Sequence, residues 1–564
     1  MNLNQQYQWE VLPPAPHEYL NASNLAPLMA QLLYNRGVKL DETELFLAAD
    51  SRLEGNPFLL PDISQAMSRV YKALLSGEKI AVYGDFDSDG VTATVILAEG
   101  LSWLGAKVVP YIPHRVREGH GIKSPAIEEL HSQGVGLIIT VDCGTTDLAE
   151  AKQAQETGID IVITDHHMPL ATLPQAIAVV NPKRRDSQYP CSDLSGAGIA
   201  FKFLQALLHQ DNREKQLTGL LDLVALGTIT DMVPIVGENR YFVKQGLRVL
   251  NNTQRIGIQE VVKLAGLELG KLDAGHVSWA LGPRINAAGR IDDATTSYQL
   301  LTTDSPEEAH LLAAELEGKN TERQKLANET LGKVKEKLAT KLHLPILIAG
   351  DESYFIGVIG LVAGKLVDEF RKPAVIISLG AEVGRGSSRS IPEFNMVTAL
   401  EKCQDLLISF GGHPLATGFM VARQNLAQLE ERLTKLAIDQ LAHLDIHPKL
   451  VIDAEVPLSV FAGETFNLIQ QLEPFGQGNP YPTFLSRHVK VVECRNLGNQ
   501  GEHLQLKLRQ GNTTWGAVWF NPQKTKEEIP PYINIVYTLR KWWWNGEEVL
   551  CLNLRDFAPS SQPD

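Results

Sequence analysis

Between Ile80 and Val180 the chain alternates short apolar runs with helical stretches, and this alternation limits the possible folds more than any other feature. The strand-like runs are Ile80–Tyr83, Val108–Ile112, Leu137–Val141, Ile161–Thr164 and Ala176–Val180. Helical spacing is found in Val91–Leu104, Ala126–His131 and Asp147–Gln155. Near-continuous apolar strands separated by helices predict a doubly wound, mostly parallel α/β sheet. Ligands of such sheets bind outside the carboxyl ends of the strands. Here three strand ends run into polar or acidic residues: Asp85–Asp89, Asp142, and Asp165-His166-His167.

The first of these ends, Lys79 to Gly90 (KIAVYGDFDSDG), brings Asp85, Asp87 and Asp89 close together. So much like charge is costly unless a cation or a shared proton offsets it. An EF-hand calcium loop would need a Glu at loop position twelve, where Ile96 stands, and a helix before the loop rather than a strand. A haloacid-dehalogenase-type phosphatase would need a downstream Lys and a second acidic motif, for which Gly350-Asp351-Glu352 is a weak candidate. An exposed acidic turn that binds nothing is the plain alternative. A two-metal ligand set draws support from the rest of the chain. Carboxylates suit Mg²⁺, and imidazole among them shifts the balance toward Mn²⁺. Asp231, closing the apolar run Leu223–Thr230, is a further acidic candidate.

The 564 residues suffice for three or four domains. Five scattered cysteines (Cys143, Cys191, Cys403, Cys494, Cys551) without a CxxC pair fit reduced thiols. With no secretory signal or apolar run of membrane-spanning length, the expectation is a cytoplasmic protein with no membrane association. A formal charge of −14 argues against indiscriminate binding of polyanions but does not exclude nucleic acid. The reading by domain is an N-terminal extension (1–55), a first α/β domain (56–300), connecting helices (301–343), a second α/β domain (344–445) and a small β-barrel with its lead-in (446–564). The connection is read as one or two long charged helices over Ser305–Lys341. Glycine-rich turns are expected at Gly357–Gly360, Gly384–Ser390 and Gly411–Gly418. Five of the eight tryptophans fall in the last domain, among them Trp542, Trp543 and Trp544 beside Arg540 and Lys541. Such a run serves either base stacking or the barrel core.

The ordered set Asp85-x-Asp87-x-Asp89-Gly90, Val141-Asp142-Cys143-Gly144, Asp165-His166-His167 and Gly227-Thr228-Ile229-Thr230-Asp231 resembles the four motifs of the DHH phosphoesterase superfamily. Three further strings, Leu194–Gly198 with Ala200-Phe201-Lys202, Gly282–Arg290 (GPRINAAGR) and Gly411-Gly412-His413, are similar to those of its single-stranded-DNA-specific exonuclease family. The resemblance extends from about Asn56 to Phe557.

It implies a DHH catalytic domain joined by a long helix to an α/β DHHA1 domain, followed by an OB-fold barrel. It further implies that Asp85, Asp87, Asp89, Asp142, His166 and Asp231 hold two Mn²⁺ or Mg²⁺ ions, with Asp142 bridging. His167 would lie near the scissile phosphate and complete the catalytic set. Arg115, Ser387 and Arg389 would hold a terminal 5′ phosphate, while Arg284, Asn286 and His413 would contact the strand. The implied reaction is 5′→3′ hydrolysis of single-stranded DNA to 5′-mononucleotides by metal-activated hydroxide, in recombination and repair. Duplex DNA, about 20 Å across, would have to unwind before entering a deep site. The implied partners are single-stranded DNA and a single-strand binding protein or helicase, with the chain as a monomer. The alternatives are a DHH phosphoesterase acting on short oligonucleotides or small phosphates, and an inactive DHH scaffold that binds DNA. Two departures stand out: His120 where the family carries Tyr, and Asp351–Gly357, which lacks the Trp-His pair often found before the glycine. Neither is expected to touch a proposed ligand.

Overall fold

A computed structural model describes residues 7–444, 447–498, 502–520, 522, 525–544 and 547–561; the side chains of 542–544, 547 and 548 are not among those described. The chain forms two compact units. One comprises Glu54–Pro234 with Glu238–Ile446, and the other Met1–Leu53, Ile235–Gly237 and His447–Asp564.

In the first of these units the Val- and Ile-rich runs form a parallel sheet. Its strands are β1 (Lys79–Tyr83), β2 (Lys107–Tyr111), β3 (Val135–Val141), β4 (Asp160–Thr164) and β5 (Ala178–Val180), in the order β2-β1-β3-β4-β5. The reversal of order on either side of β1 creates a crevice at the carboxyl ends of β1 and β3, where such sheets bind ligands. Helix α1 (Ser88–Trp103) is apolar on nearly every side and almost wholly buried. It packs against α2 (Gly196–Leu207) and α3 (Leu221–Thr230). The helix begins three residues earlier than the apolar pattern suggests, because the Asp87 carboxylate accepts the N–H groups of Asp89 (3.0 Å) and Gly90 (3.1 Å). Asp89 therefore belongs to the first helical turn rather than to the strand end.

Helix α4 (Gly282–Ile291) follows a π-helical turn, Val277–Leu281. The charged connection is a single 33-residue helix, α5 (Pro306–Leu338). Its ends explain its length. The Ser305 hydroxyl accepts the Glu308 N–H, Pro306 opens the first turn, and Lys335 and Lys337 sit in the last turn where the helix dipole favours cations.

Beyond α5 lie β6 (Leu347–Asp351), α6 (Ile359–Phe370), β7 (Ala374–Leu379), β8 (Val383–Arg389), β9 (Leu407–His413), β10 (Ala416–Ala422) and α7 (Leu426–Leu441). The sheet runs β9-β10-β8-β7-β6, with only β6 and β7 parallel. Two of the expected glycine-rich turns are in fact strands, since Gly384 and Gly386 lie in β8 and Gly411 and Gly418 in β9 and β10. Packing explains the glycine at 386, where a Cβ atom would lie 2.1 Å from the Phe419 ring.

In the other unit, β11 (Phe484–Leu497), β12 (His503–Gln510), β13 (Thr513–Phe520), β14 (Tyr532–Trp544) and β15 (Glu547–Pro559) close into a five-stranded barrel through the β11–β14 pairing. Trp519 packs edge-on against Phe557 in its core, and the half-buried Trp515 donates its indole N–H to the Leu458 carbonyl (3.1 Å). The side chains of Trp542–Trp544, on which the stacking question turned, lie outside the described residues. The N-terminal segment pairs strand Gln8–Val11 with Lys449–Ile452 and inserts Met29, Leu32 and Leu33 into the same core as Phe461 and Ile533. Among the described residues no helix is long and apolar enough to cross a membrane.

Candidate active site

The crevice at the end of the first sheet gathers acidic side chains from four chain segments. Asp85, Asp87 and Asp142 offer oxygens within 4.8 Å of one another, as do the ligand atoms of Asp89, His166 and Asp231, and those of Asp142, His166 and His167. Asp142 follows β3 in the left-handed region (φ +62°), a conformation costing about 1–3 kcal/mol in a non-glycine residue. That turn aims its carboxylate back across the sheet ends. Asp231 caps the carboxyl end of α3. Two glycines make room for the cluster. A Cβ on Gly196 would lie 2.5 Å from that of Asp142, and one on Gly227 would lie 2.5 Å from Asp89 Oδ1.

Asp89 is also fixed by backbone, accepting the N–H groups of Gly196 (2.5 Å) and Ala197 (2.9 Å) at the start of α2. Burial, then the neighbouring Asp87 charge, pushes it up to about 7. Burial and the surrounding carboxylates raise Asp142 and Asp231 well above the usual range. Burial drives His166 the other way, well below an ordinary histidine, with His167 adding to the effect.

Asp142 Oδ1 and both ring nitrogens of His166 are buried and lack a hydrogen-bond partner among the described residues. His166 Nε2 is nevertheless 3.0 Å from Asp142 Oδ1 and 3.6 Å from Asp231 Oδ2, so these atoms crowd one point without bonding to each other. Buried polar atoms are normally satisfied. Orphaned oxygens and an imidazole nitrogen converging on a shared point are the donor set of a divalent cation such as Mn²⁺ or Mg²⁺, and the residues fit such a group.

Asp165 has a different task. Its carboxylate accepts from Thr145 N–H (2.8 Å), from the N–H groups of His166 and His167, and from His167 Nδ1 (2.8 Å). Despite burial, the His167 charge and these bonds hold it far below the usual carboxylate range. It thereby fixes the ring of His167. His167 in turn stacks on His413 of the β9–β10 hairpin, with ring centres 6.1 Å apart and planes 18° apart.

The facing wall is basic. Strand β8 alternates, and Ser387 and Arg389 share one half-buried face. A Cβ on Gly360, in the first turn of α6, would meet Ser387 Oγ at 3.0 Å and Arg389 Nη2 at 3.4 Å, so both side chains lie at a helix N-terminus. Arg115 stands over the Phe86 ring at 4.6 Å. Arg290 is pushed down to about 9 by burial, with Arg115 and Arg323 adding to the effect. Burial followed by the Arg115 charge lowers Arg389 as well. The Nε of Arg323 is buried and unpartnered among the described residues.

Arg290 and Arg323 went unassigned in the sequence. Arg290 closes the GPRINAAGR string and carried a signal, whereas Arg323 is one charge among many along α5. The structure gives Arg284 and Asn286 other contacts. Arg284 Nε pairs with Glu317 at 2.5 Å, and Asn286 Oδ1 accepts the Ser88 N–H at 2.8 Å, bracing the aspartate turn. One expectation is corrected. His120 does touch a proposed ligand, its Nδ1 lying 3.2 Å from Asp85 Oδ1, because the loop after β2 folds back over the end of β1. Burial disfavours its charge, but Asp85 outweighs this and raises it to about 9.

A parallel sheet whose ends carry this ligand set, joined by a long helix to a mixed α/β domain, defines a DHH-type phosphoesterase. Residues 79–228 match the DHH family N-terminal domain, 338–441 the DHHA1 domain and 452–556 the RecJ OB domain. The chain is 36% identical over 562 residues to the single-stranded-DNA-specific exonuclease RecJ of Bacillus subtilis (strain 168), spanning 98% of this chain and 71% of that protein. Its fold is similar to a crystal structure of RecJ in complex with Mn²⁺ from Thermus thermophilus, at TM-score 0.85 and 30% identity, covering 99% of this chain and 81% of the other. A Mg²⁺ complex from the same organism matches at TM-score 0.77 and 28% identity, covering 99% and 79%. The chain belongs to the RecJ family.

Proposed function

We propose that the chain is a metal-dependent exonuclease that degrades single-stranded DNA from its 5′ end and releases 5′-mononucleotides. The observation that carries this reading is the pairing of two walls within one unit: buried, orphaned carboxylate and imidazole atoms face a cluster of arginines that form no ion pair among the described residues. The first wall suits divalent cations and the second suits a terminal phosphate.

Asp85, Asp87, Asp89, Asp142, His166 and Asp231 would hold two ions, with Asp142 common to two of the three ligand groups. Bound cations would supply Lewis-acid stabilisation of the charge that builds on the transferred phosphoryl oxygens. The chain's own groups do the rest. His167, its Nδ1 tied to Asp165, presents its other nitrogen to a phosphate oxygen. Arg115, Arg290, Arg323 and Arg389 receive the 5′ phosphate with planar, forked donors, and Ser387 adds its hydroxyl. His413 brings the second domain against His167, so the strand enters between two domains as a single chain of bases. Asn286 supports the aspartate turn through Ser88, and Arg284, held by Glu317, lines the approach.

The test is a titration of metal-stripped protein. Two equivalents of Mn²⁺ per chain should bind, with nuclease activity on a single-stranded 20-mer rising in step while blunt duplex stays intact. Full activity in excess chelator, or equal rates on duplex, overturns the proposal.

A further inference from the structure

We propose that Arg385 is a positioning residue, whose hydrogen bond to the loop bearing Arg115 sets one side of the terminal-phosphate pocket. The inference rests on the terminal-phosphate reading above and extends it to the part of the pocket that the first domain supplies.

Strand β8 alternates Gly384, Gly386 and Ser388 on its buried face with Arg385, Ser387 and Arg389 on the half-buried one. Arg385 therefore shares a face with the two pocket residues of its own strand. Its Nη1 donates to the backbone carbonyl of Val116 at 2.5 Å. Val116 adjoins Arg115, in the segment 113–122 that has no regular secondary structure.

The base of this segment is secured within the first domain. The Glu118 carboxylate accepts the His114 N–H (2.6 Å) and the Tyr111 hydroxyl (2.9 Å). The Tyr83 hydroxyl donates to the Gly121 carbonyl (3.1 Å), and the Ile122 N–H to Asp147 (2.7 Å). The tip at Arg115–Arg117 closes as a turn between His114 and Glu118, where the Val116 N–H donates to His114 Nδ1 (3.1 Å) and Arg115 rests on the Phe86 ring. Asp85 and Asp87 attract the Arg115 guanidinium from the first domain, while its charge opposes those of Arg389 and Arg290 across the pocket when no anion lies between them. These contacts all come from the first domain, and Arg385 adds one to the tip from the strand of the second domain that carries Arg389. It makes no ion pair among the described residues, so its contact with Val116 is not a by-product of a salt bridge.

The role predicts a split between binding and turnover. Full-length wild type, Arg385→Ala and Arg385→Lys are compared with saturating Mn²⁺ on a single-stranded 20-mer carrying either a 5′ phosphate or a 5′ hydroxyl. Arg385→Ala should raise KM for the phosphorylated strand about five- to tenfold, as expected for loss of one charge-assisted hydrogen bond. Its kcat should stay within about twofold of wild type on both strands, and its KM for the hydroxyl strand should be unchanged. Arg385→Lys, which keeps a donor for the carbonyl, should recover most of the loss. The inference is overturned if Arg385→Ala keeps the wild-type ratio of KM values for the two ends. It is equally overturned if both variants lose kcat on both strands, which would mark a general structural role. A wild type indifferent to the 5′ phosphate instead breaks the terminal-phosphate reading, and the inference with it.

Discussion

The two walls of the site are built from opposite charges and stabilised in opposite ways. On the acidic wall the ligands come from β-strand and helix ends of one domain, and backbone N–H groups fix them: Asp87 caps α1 and Asp89 is held by Gly196 and Ala197. On the basic wall the guanidinium groups come from the loop after β2, from α4, from α5 and from β8. The acidic wall is a rigid cradle whose charge calls for a cation. The basic wall is assembled across two domains and calls for an anion. The difference teaches that the first should govern the chemical step and the second the capture of the strand end.

The largest expected effect breaks the acidic wall. Asp142→Ala should lower kcat by about 10³-fold or more at saturating Mn²⁺, since it removes the ligand common to two of the groups. A loss below tenfold in single-turnover rates would contradict a shared role. Next, Arg389→Ala should leave kcat nearly intact and raise KM for a 5′-phosphorylated strand by about 10- to 100-fold, equivalent to about 1.5–3 kcal/mol of charge-assisted hydrogen bonding. An equal fall in kcat would erase the division of labour.

The smallest effect concerns stability. In metal-stripped protein Asp89 titrates near 7, and Asp142 and Asp231 stand well above an unfolded aspartate near 3.9. A folded pKa above the unfolded one contributes stability that is present below the unfolded pKa and lost as pH rises through the folded value. The Tm of the stripped protein should therefore fall between pH 5 and 8. Mn²⁺, which favours the ionised carboxylates, should raise Tm by an increment that grows with pH. At 100 times Kd the increment corresponds to about 2.7 kcal/mol. A metal-induced rise in Tm that shrinks with pH, measured by scanning calorimetry, would oppose the reading.

How legible each wall was in the sequence follows from the same contrast. Acidic ligands sit at the ends of strands and helices, so Asp85–Asp89, Asp142, His166 and Asp231 stand out as polar residues closing apolar runs. The parallel sheet, the long helix and the barrel followed from periodicity and turn spacing. The start of α1 was hidden, because a side-chain cap can pull residues into a helix ahead of the apolar pattern. Strand β8 read as a turn because its glycines answer to side chains across the sheet, Gly386 to the Phe419 ring and Gly384 to Ile377, contacts that only the fold supplies. Arg323 went unmarked in the sequence, and the contact of His120 with Asp85 was not foreseen, for a related reason. Each is brought to the site by tertiary approach, from mid-helix and from a folded-back loop, and no local spacing marks it.

The central claim is that the two walls hold a single 5′ terminus. The most direct measurement is product analysis of a single-stranded 20-mer labelled at either end, sampled during the first turnovers with Mn²⁺. The account predicts that a 5′ label appears at once as mononucleotide, while a 3′ label remains on strands that shorten one residue at a time. Early release of the 3′ label as mononucleotide, or internal fragments from either label, would contradict it.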